Sequence, residues 1–455
     1  MSSGHSRRDP VARTVKKQAL VGAVAELDHR RHLAPRGERD PRKLRSMTAL
    51  GIVALGAASI AAPLSACATS DDSGPSNAPE ENRALAPDAA ADAPSDAQAE
   101  SGDGGACTDC EYFPESCSDD VLCHNGPFGP GGFDPLTQIN LIGGRAPNDV
   151  WIAGALGAVA HFDGTSWLRQ DLAGGTSVHA LWLRDSMEIS FLALDQIFGR
   201  GIDVPDAGPA SPNGWVPAPT SATPADYRGG WLRALVAGFA APGATWFWGA
   251  TQNICDGSFS CRTSRTSGLW RVRFEPPSTF TIASVIPPAL CQEIQCGDMR
   301  AIHGSSADDL WAVGDRGAIL RIGDADSETP QLRAFNSQTW NALYGVWAAS
   351  SSDAWAVGKD GIVRHYTGAA AALWDIVPDV PTTNDLFAVS GTSSSDVWVV
   401  GDAATVLHYD GKAWSRIKIA GLGARRPKLT AVWTTSPGHV WIGGQGVLLS
   451  LGGKP

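Results

Sequence analysis

Eight of the nine cysteines fall in two clusters, and their spacing invites either metal binding or disulfide chemistry. The first cluster is CTDCEYFPESCSDDVLC, holding Cys107, Cys110, Cys117 and Cys123, and it opens with a C-x2-C pair and ends beside His124. A closed zinc site needs a second well-spaced pair, whereas the later spacing here is C-x5-C, so disulfides in an oxidising compartment are the reading. Four cysteines allow three pairings, and the residues do not choose among them. In the second cluster, Cys255 and Cys261 flank DGSFS while Cys291 and Cys296 flank QEIQ. Local pairs would each clip a loop and stabilise the fold by about 2 to 3 kcal/mol on a chain-entropy estimate. A cross-pair such as Cys255 with Cys296 would tie two hairpins together instead.

Other reactive side chains are scattered. His161, His365 and His408 recur at one position of a repeat, but equivalent positions on different units diverge and cannot converge on one ion, so no metal is expected. Trp182, His303, Trp347 and Trp433 share another position, where they either pack between units or present an aromatic rim to a sugar or peptide. Asp315, Lys359 and Asp402 read as solvated turn residues. No G-x-S-x-G, H-E-x-x-H or phosphate loop is present, no catalytic set emerges, and no cofactor is implied.

The elements that carry these residues are repeats. MRAIHGSSADDLWAVGDRGAILRI (299–322), LYGVWAASSSDAWAVGKDGIVRHY (343–366), LFAVSGTSSSDVWVVGDAATVLHY (386–409) and LTAVWTTSPGHVWIGGQGVLLSL (429–451) align, with marker residues Trp311, Trp355, Trp398 and Trp441 spaced 44, 43 and 43 apart. Upstream copies carry Trp151, Ser190 and Trp246 as markers, which makes seven units. Nine residues before the markers stand Ile142, Leu181, Ala237, Ile302, Val346, Val389 and Val432, all apolar. Each unit reads as four short strands parted by turn chemistry, with an Asp before the marker suited to bonding turn N–H groups. Trp167, Trp374 and Trp414 open the fourth strand and are expected to pack on the next unit. A repeat of this length and content predicts an all-β, seven-bladed propeller of four-stranded antiparallel blades. The seventh unit stops one strand short, so residues 133–138 are expected to supply it.

Ahead of the repeats, residues 48–66 form an uncharged small-residue apolar run after the basic Lys43 to Arg45, the pattern of an export signal. Residues 1–46 make an unusually long polar lead, with 12 Lys and Arg against 5 Asp and Glu. Residues 68–106 carry nine acidic residues and one Arg, with no aromatic residue, and should form a disordered tether. The expected organisation is a signal at 1–66, an anchor and linker at 67–106, a Cys-rich segment at 107–132 and the propeller at 133–455 with an insertion around 251–298. Beyond residue 46 the formal charge is −18, which argues against a nucleic-acid partner.

Leu64-Ser65-Ala66-Cys67 resembles the lipobox of bacterial lipoproteins, which implies lipidation of Cys67 and an outer-membrane address facing the periplasm or the exterior. From about residue 133 onward the V-W-x-V-G and H-Y-D-G-x-x-W patterns resemble propeller families related to photosystem II assembly factors and other bacterial exported propellers. That resemblance implies architecture and carries no catalytic motif. The expected function is a non-enzymatic binding or scaffolding module that holds a protein or glycan by its loops. An envelope-complex assembly factor is the alternative, and a propeller glycoside hydrolase or lyase the second.

Overall fold

The computed structural model describes residues 109–454 apart from 129–132, 171, 173–174, 206, 209, 223–232, 254–266, 287–290, 292, 294–295 and 369–371. The expected signal, lipidated Cys67, acidic linker, Cys107, Cys255 and Cys261 lie outside the described residues. Seven antiparallel meanders follow one another, and each strand reads as apolar alternation bounded by turn residues. Their innermost strands are Ile139–Ala146, Ala180–Arg184, Arg233–Phe239, Met299–Ser306, Leu343–Ser350, Leu386–Ser393 and Leu429–Ser436. These strands neighbour one another in order and the last returns to the first, so the ring is closed. The chain forms a seven-bladed β-propeller.

A single four-stranded sheet has two apolar faces and hides neither, so the core of this molecule is divided among seven interfaces. One buried cluster occupies each pair of neighbouring blades, from Trp151 with Trp215 between the first two to Trp441 with Ile139 between the last and the first. The marker tryptophan of one blade meets the fourth-strand tryptophan of the following blade. Ring centroids are 6.1 Å apart for Trp151 and Trp215, 5.0 Å for Trp311 and Trp374, and 5.8 Å for Trp355 and Trp414. Trp167 sits 5.5 Å from Trp441 in the same way. The fourth-strand tryptophans thus pack on the preceding blade, not the next, because the marker on the second strand points forward around the ring.

Three other expectations are corrected by the sheets. The strand that completes the seventh blade is Leu122–His124, paired antiparallel with Val447–Leu451, and not residues 133–138. Residues 133–138 instead form the connection into the first blade, and meet the seventh through an isolated bridge between Gln138 and Gln445, the Gly446 N–H donating to Thr137 O at 2.8 Å, and Phe133 packing with Trp441. In the third blade, Trp248 and not Trp246 holds the marker position: Thr251 closes the turn to Gly268 O as Gly154, Gly358 and Gly401 close theirs three residues after the marker. The same blade carries a fifth strand, Thr220–Ala222, running parallel along Thr279–Ser284. It comes from the Pro-rich stretch that breaks the repeat and covers that sheet's outer edge.

In the second blade Ile189, and not Ser190 as expected, holds the marker position: it pairs with Trp182 as Trp311 pairs with His303, and it packs toward the third blade. The missing volume is filled from the third blade. Phe247 stacks on Phe191 at 4.2 Å, and Trp270 is buried in the same interface. Two cysteine pairs are disulfides, Cys117 with Cys123 and Cys291 with Cys296, and Cys110 is also disulfide-bonded. The Cys291–Cys296 bond is the local solution, so this part of the insertion is clipped within its own loop.

Candidate functional site

At one end of five blades the turn between the second and third strands is bonded to the connection entering the first strand. The backbone N–H groups of Ala155, Asp315, Lys359, Asp402 and Gln445 donate to the carbonyls of Gln138, Asp298, Ala342, Asp385 and Lys428 at 2.8–3.0 Å. This end is where loops gather, and it is also where the innermost strands are irregular. A β-bulge interrupts the first strand of six blades just inside its start, leaving Asn140, Val236, Arg300, Tyr344, Phe387 and Thr430 outside the ladder. In the second blade His179 occupies the corresponding place, immediately before the strand. A bulge releases one residue from pairing and re-aims its side chain, which is how sheet rims carry binding groups. All seven of these residues are partly exposed.

Their side chains run from blade to blade. Thr430 donates to Ile139 O, and Asn140 Nδ2 donates to Val178 O at 3.1 Å. The Arg300 guanidinium lies 5.1 Å from the Tyr344 ring, Tyr344 stacks on Phe387 at 5.4 Å, and Lys428 Nζ sits 3.8 Å from the Phe387 ring centre. Cations over aromatic faces gain electrostatic stabilisation. Asp315, expected as a solvated turn residue, is ion-paired with Arg300. Burial, then the charges of Asp385, Asp315 and Asp360, push the Tyr344 hydroxyl above its usual pKa against the pull of Arg300, so it stays a neutral donor. The rim is therefore an arc in which two cations bracket two stacked aromatic rings, flanked by carboxylates and completed by smaller groups.

The four aromatic candidates one turn of the pattern deeper are structural. Trp182 and Trp347 are buried, and the Trp347 ring lies where a Cβ on Gly391 of the next blade would be, as the Trp433 ring does for Gly144. His303 stacks 4.6 Å from Phe239 and its Nδ1 accepts the Ala348 N–H at 3.2 Å. Burial pushes the His303 pKa down to about 4, so the ring is neutral and can accept. These residues join adjacent blades.

The repeated histidines are likewise separate. His161, His365 and His408 each hydrogen-bond, through Nε2, the aspartate of their own blade: Asp149 at 2.7 Å, Asp353 at 2.9 Å and Asp396 at 2.8 Å. Each also stacks on its marker tryptophan, at 4.3, 3.7 and 4.3 Å. The aspartates thus spend their oxygens on cross-strand histidines and indole N–H groups, with Trp151 and Trp398 donating at 2.9 and 3.0 Å, and not on turn amides as expected. They open the second strand, where the side chain points across the sheet.

The apolar column nine places before the markers, and the Trp and His positions eight places before them, do not point to the bulged residues. Eleven places before the markers stand Asn140, Arg300, Tyr344, Phe387 and Thr430, with His179 ten places before Ile189, a column as varied as its neighbours are uniform. That variation is the signal of the rim in the sequence.

The class defined by this fold and rim is the seven-bladed β-propeller with a decorated loop face. Among solved structures, the chain is similar to YCF48 bound to a D1 peptide, at 12% identity over 75% of this chain and 97% of that one with a TM-score of 0.50. It is similar to YCF48 from Cyanidioschyzon merolae, at 12% identity over 72% and 98% with a TM-score of 0.51. A catalytically inactive virginiamycin B lyase from Staphylococcus aureus with quinupristin matches at 12% identity over 72% and 98%, with a TM-score of 0.50. No protein-family model and no curated protein matches the chain. What is shared is the propeller itself.

Proposed function

We propose that this protein is an exported, lipid-anchored binding module that holds a protein partner by an extended segment laid across the rim of the ring. The observation that carries this reading is the arc Arg300–Tyr344–Phe387–Lys428, four unlike side chains set side by side on successive blades. A rim whose seven positions differ chemically suits a ligand that changes along its length, as a peptide does. Aromatic residues and arginine are also the residues that anchor protein interfaces. The D1-peptide complex of a propeller with this topology supports a protein over a glycan at the rim. Assembly of an envelope complex is the second reading, and rests on that same neighbour.

The test is peptide display against residues 97–455, the compact unit that contains the whole ring. Linear peptides should be enriched, and the double variant Tyr344→Ala with Phe387→Ala should weaken them by at least roughly tenfold. No enrichment, or peptides indifferent to that variant, would end the proposal. The address is tested separately. Cells fed labelled palmitate should mark the wild-type chain and leave Cys67→Ala unlabelled; an unlabelled wild type removes the anchor.

A further inference from the structure

A second feature lies on the same end of the fourth blade but away from the rim arc. A pocket of about 440 Å³ opens between the turn holding Arg316 and the loop 336–340 that leaves the fourth strand. Its volume is within the range of small-molecule sites, about 300–1,000 Å³. Eight tryptophans of this molecule are among its largest fully buried side chains, yet Trp340, in the pocket wall, is 77% exposed. Trp340 thus offers an open indole face to whatever enters the pocket.

The loop is held rigidly from below. Arg364 is buried and donates to Ser337 O at 2.6 Å, Val363 O at 3.0 Å and Gln338 O at 3.2 Å. Ser337 Oγ donates to Gly317 O at 2.6 Å, which ties the loop to the Arg316 turn. Gly317 has φ +71° and a Cβ there would strike Thr339 O, so only glycine lets the two segments approach this closely. Burying a guanidinium on carbonyls alone is costly, and what it secures here is the shape of the pocket.

Two side-chain donors, Arg316 and Asn336, face the pocket. Arg316 makes no ion pair or hydrogen bond among the described residues, and it sits at φ 57° in an exposed turn. Asn336 accepts the Gln338 N–H at 2.8 Å with its oxygen, which leaves its amino group outward. No carboxylate is among the lining residues, although the described face around it carries many. A flat apolar wall beside several N–H donors matches a ring whose C–H face can stack and whose edge carries hydroxyl and carboxylate oxygens.

We propose that this pocket is a binding site for an acidic sugar, with the pyranose face on Trp340, the carboxylate on Arg316 and ring hydroxyls on Asn336. The site is independent of the rim proposed for a protein partner. Residues 97–455 titrated with D-glucuronate, and in parallel with D-glucose and with acetate, are followed by calorimetry and saturation-transfer NMR. Glucuronate is expected to bind with its ring protons saturated, and Trp340→Ala to abolish that signal. Arg316→Gln is expected to reduce glucuronate to the level of glucose. Because both side chains are exposed, neither change disturbs the core, and peptide binding at the rim should survive both. Glucuronate binding no better than acetate, a response unaltered by Trp340→Ala, or no response at millimolar ligand would each overturn the assignment.

Discussion

Asp396 illustrates how this molecule makes buried polar groups tolerable. Burial pushes its carboxyl pKa up, but hydrogen bonds from Thr392, His408 and Trp398 outweigh that and hold it below the ordinary range. Replacing it by alanine would leave the Trp398 indole N–H buried without an acceptor, at a cost of about 2 kcal/mol. Urea unfolding at pH 7 should show that loss. The folded pKa lies below the unfolded one, so the contribution is complete above the unfolded value and disappears as pH falls through the folded value. Wild type and Asp396→Ala should therefore converge in acid. His303 runs the other way in chemistry and the same way in sign. The unfolded ring takes a proton near the ordinary histidine value of 6.5 and the folded ring only near 4, so stability present above 6.5 is lost as pH falls from 6.5 to 4. The loss amounts to roughly 3 kcal/mol, and His303→Phe, which copies Phe239 of the neighbouring blade, should remove that part of the pH dependence. A pH series in which both proteins lose stability alike would refute this role for the ring.

Among elements, the closing strand is the most exposed to failure. Leu122–His124 has three residues, and the disulfide from Cys117 to Cys123 fixes the chain directly before and within it. Arg426 bonds Asp109 at 3.0 Å through two nitrogens and lies 3.5 Å from the Phe113 ring centre, so the segment is also held against the sixth and seventh blades. Changing Cys117 and Cys123 together to serine should cost about 2 kcal/mol by loop entropy. Hydrogen exchange should then rise first at residues 122–124 and 447–451; uniform change across all blades would contradict the assignment. This element is not legible as a strand in the sequence, because three residues inside a cysteine cluster show no periodicity and pair with a partner more than 300 residues away. The blades from residue 299 onward are legible because marker, apolar columns and turns agree at every level. The third blade misleads by two residues, since its first turn is longer and offers both Trp246 and Trp248. The rim is hidden for a different reason: bulges displace residues without altering the apolar columns on either side.

Over the whole molecule, no blade holds a core of its own, and stability is a property of neighbours. The second blade can therefore lack its tryptophan, because Phe247 and Trp270 arrive from the third. Ile189→Trp should not improve matters: its site is fully buried and its interface already filled by Phe191, Phe247 and Trp270, so overpacking of about 1 to 3 kcal/mol is expected in thermal denaturation. The pairing of Leu122 with Leu451 has one more implication, and it concerns time. During synthesis the residues of the closing strand emerge first and the strand they need emerges last. Every intermediate chain must carry an open ring with one apolar blade face bare, and no partial product is a smaller stable version of the whole. Such long-range contacts make folding slow and leave nascent chains sticky. The strand Val447–Leu451 thus acts as the switch that converts an accumulating array into a sealed object.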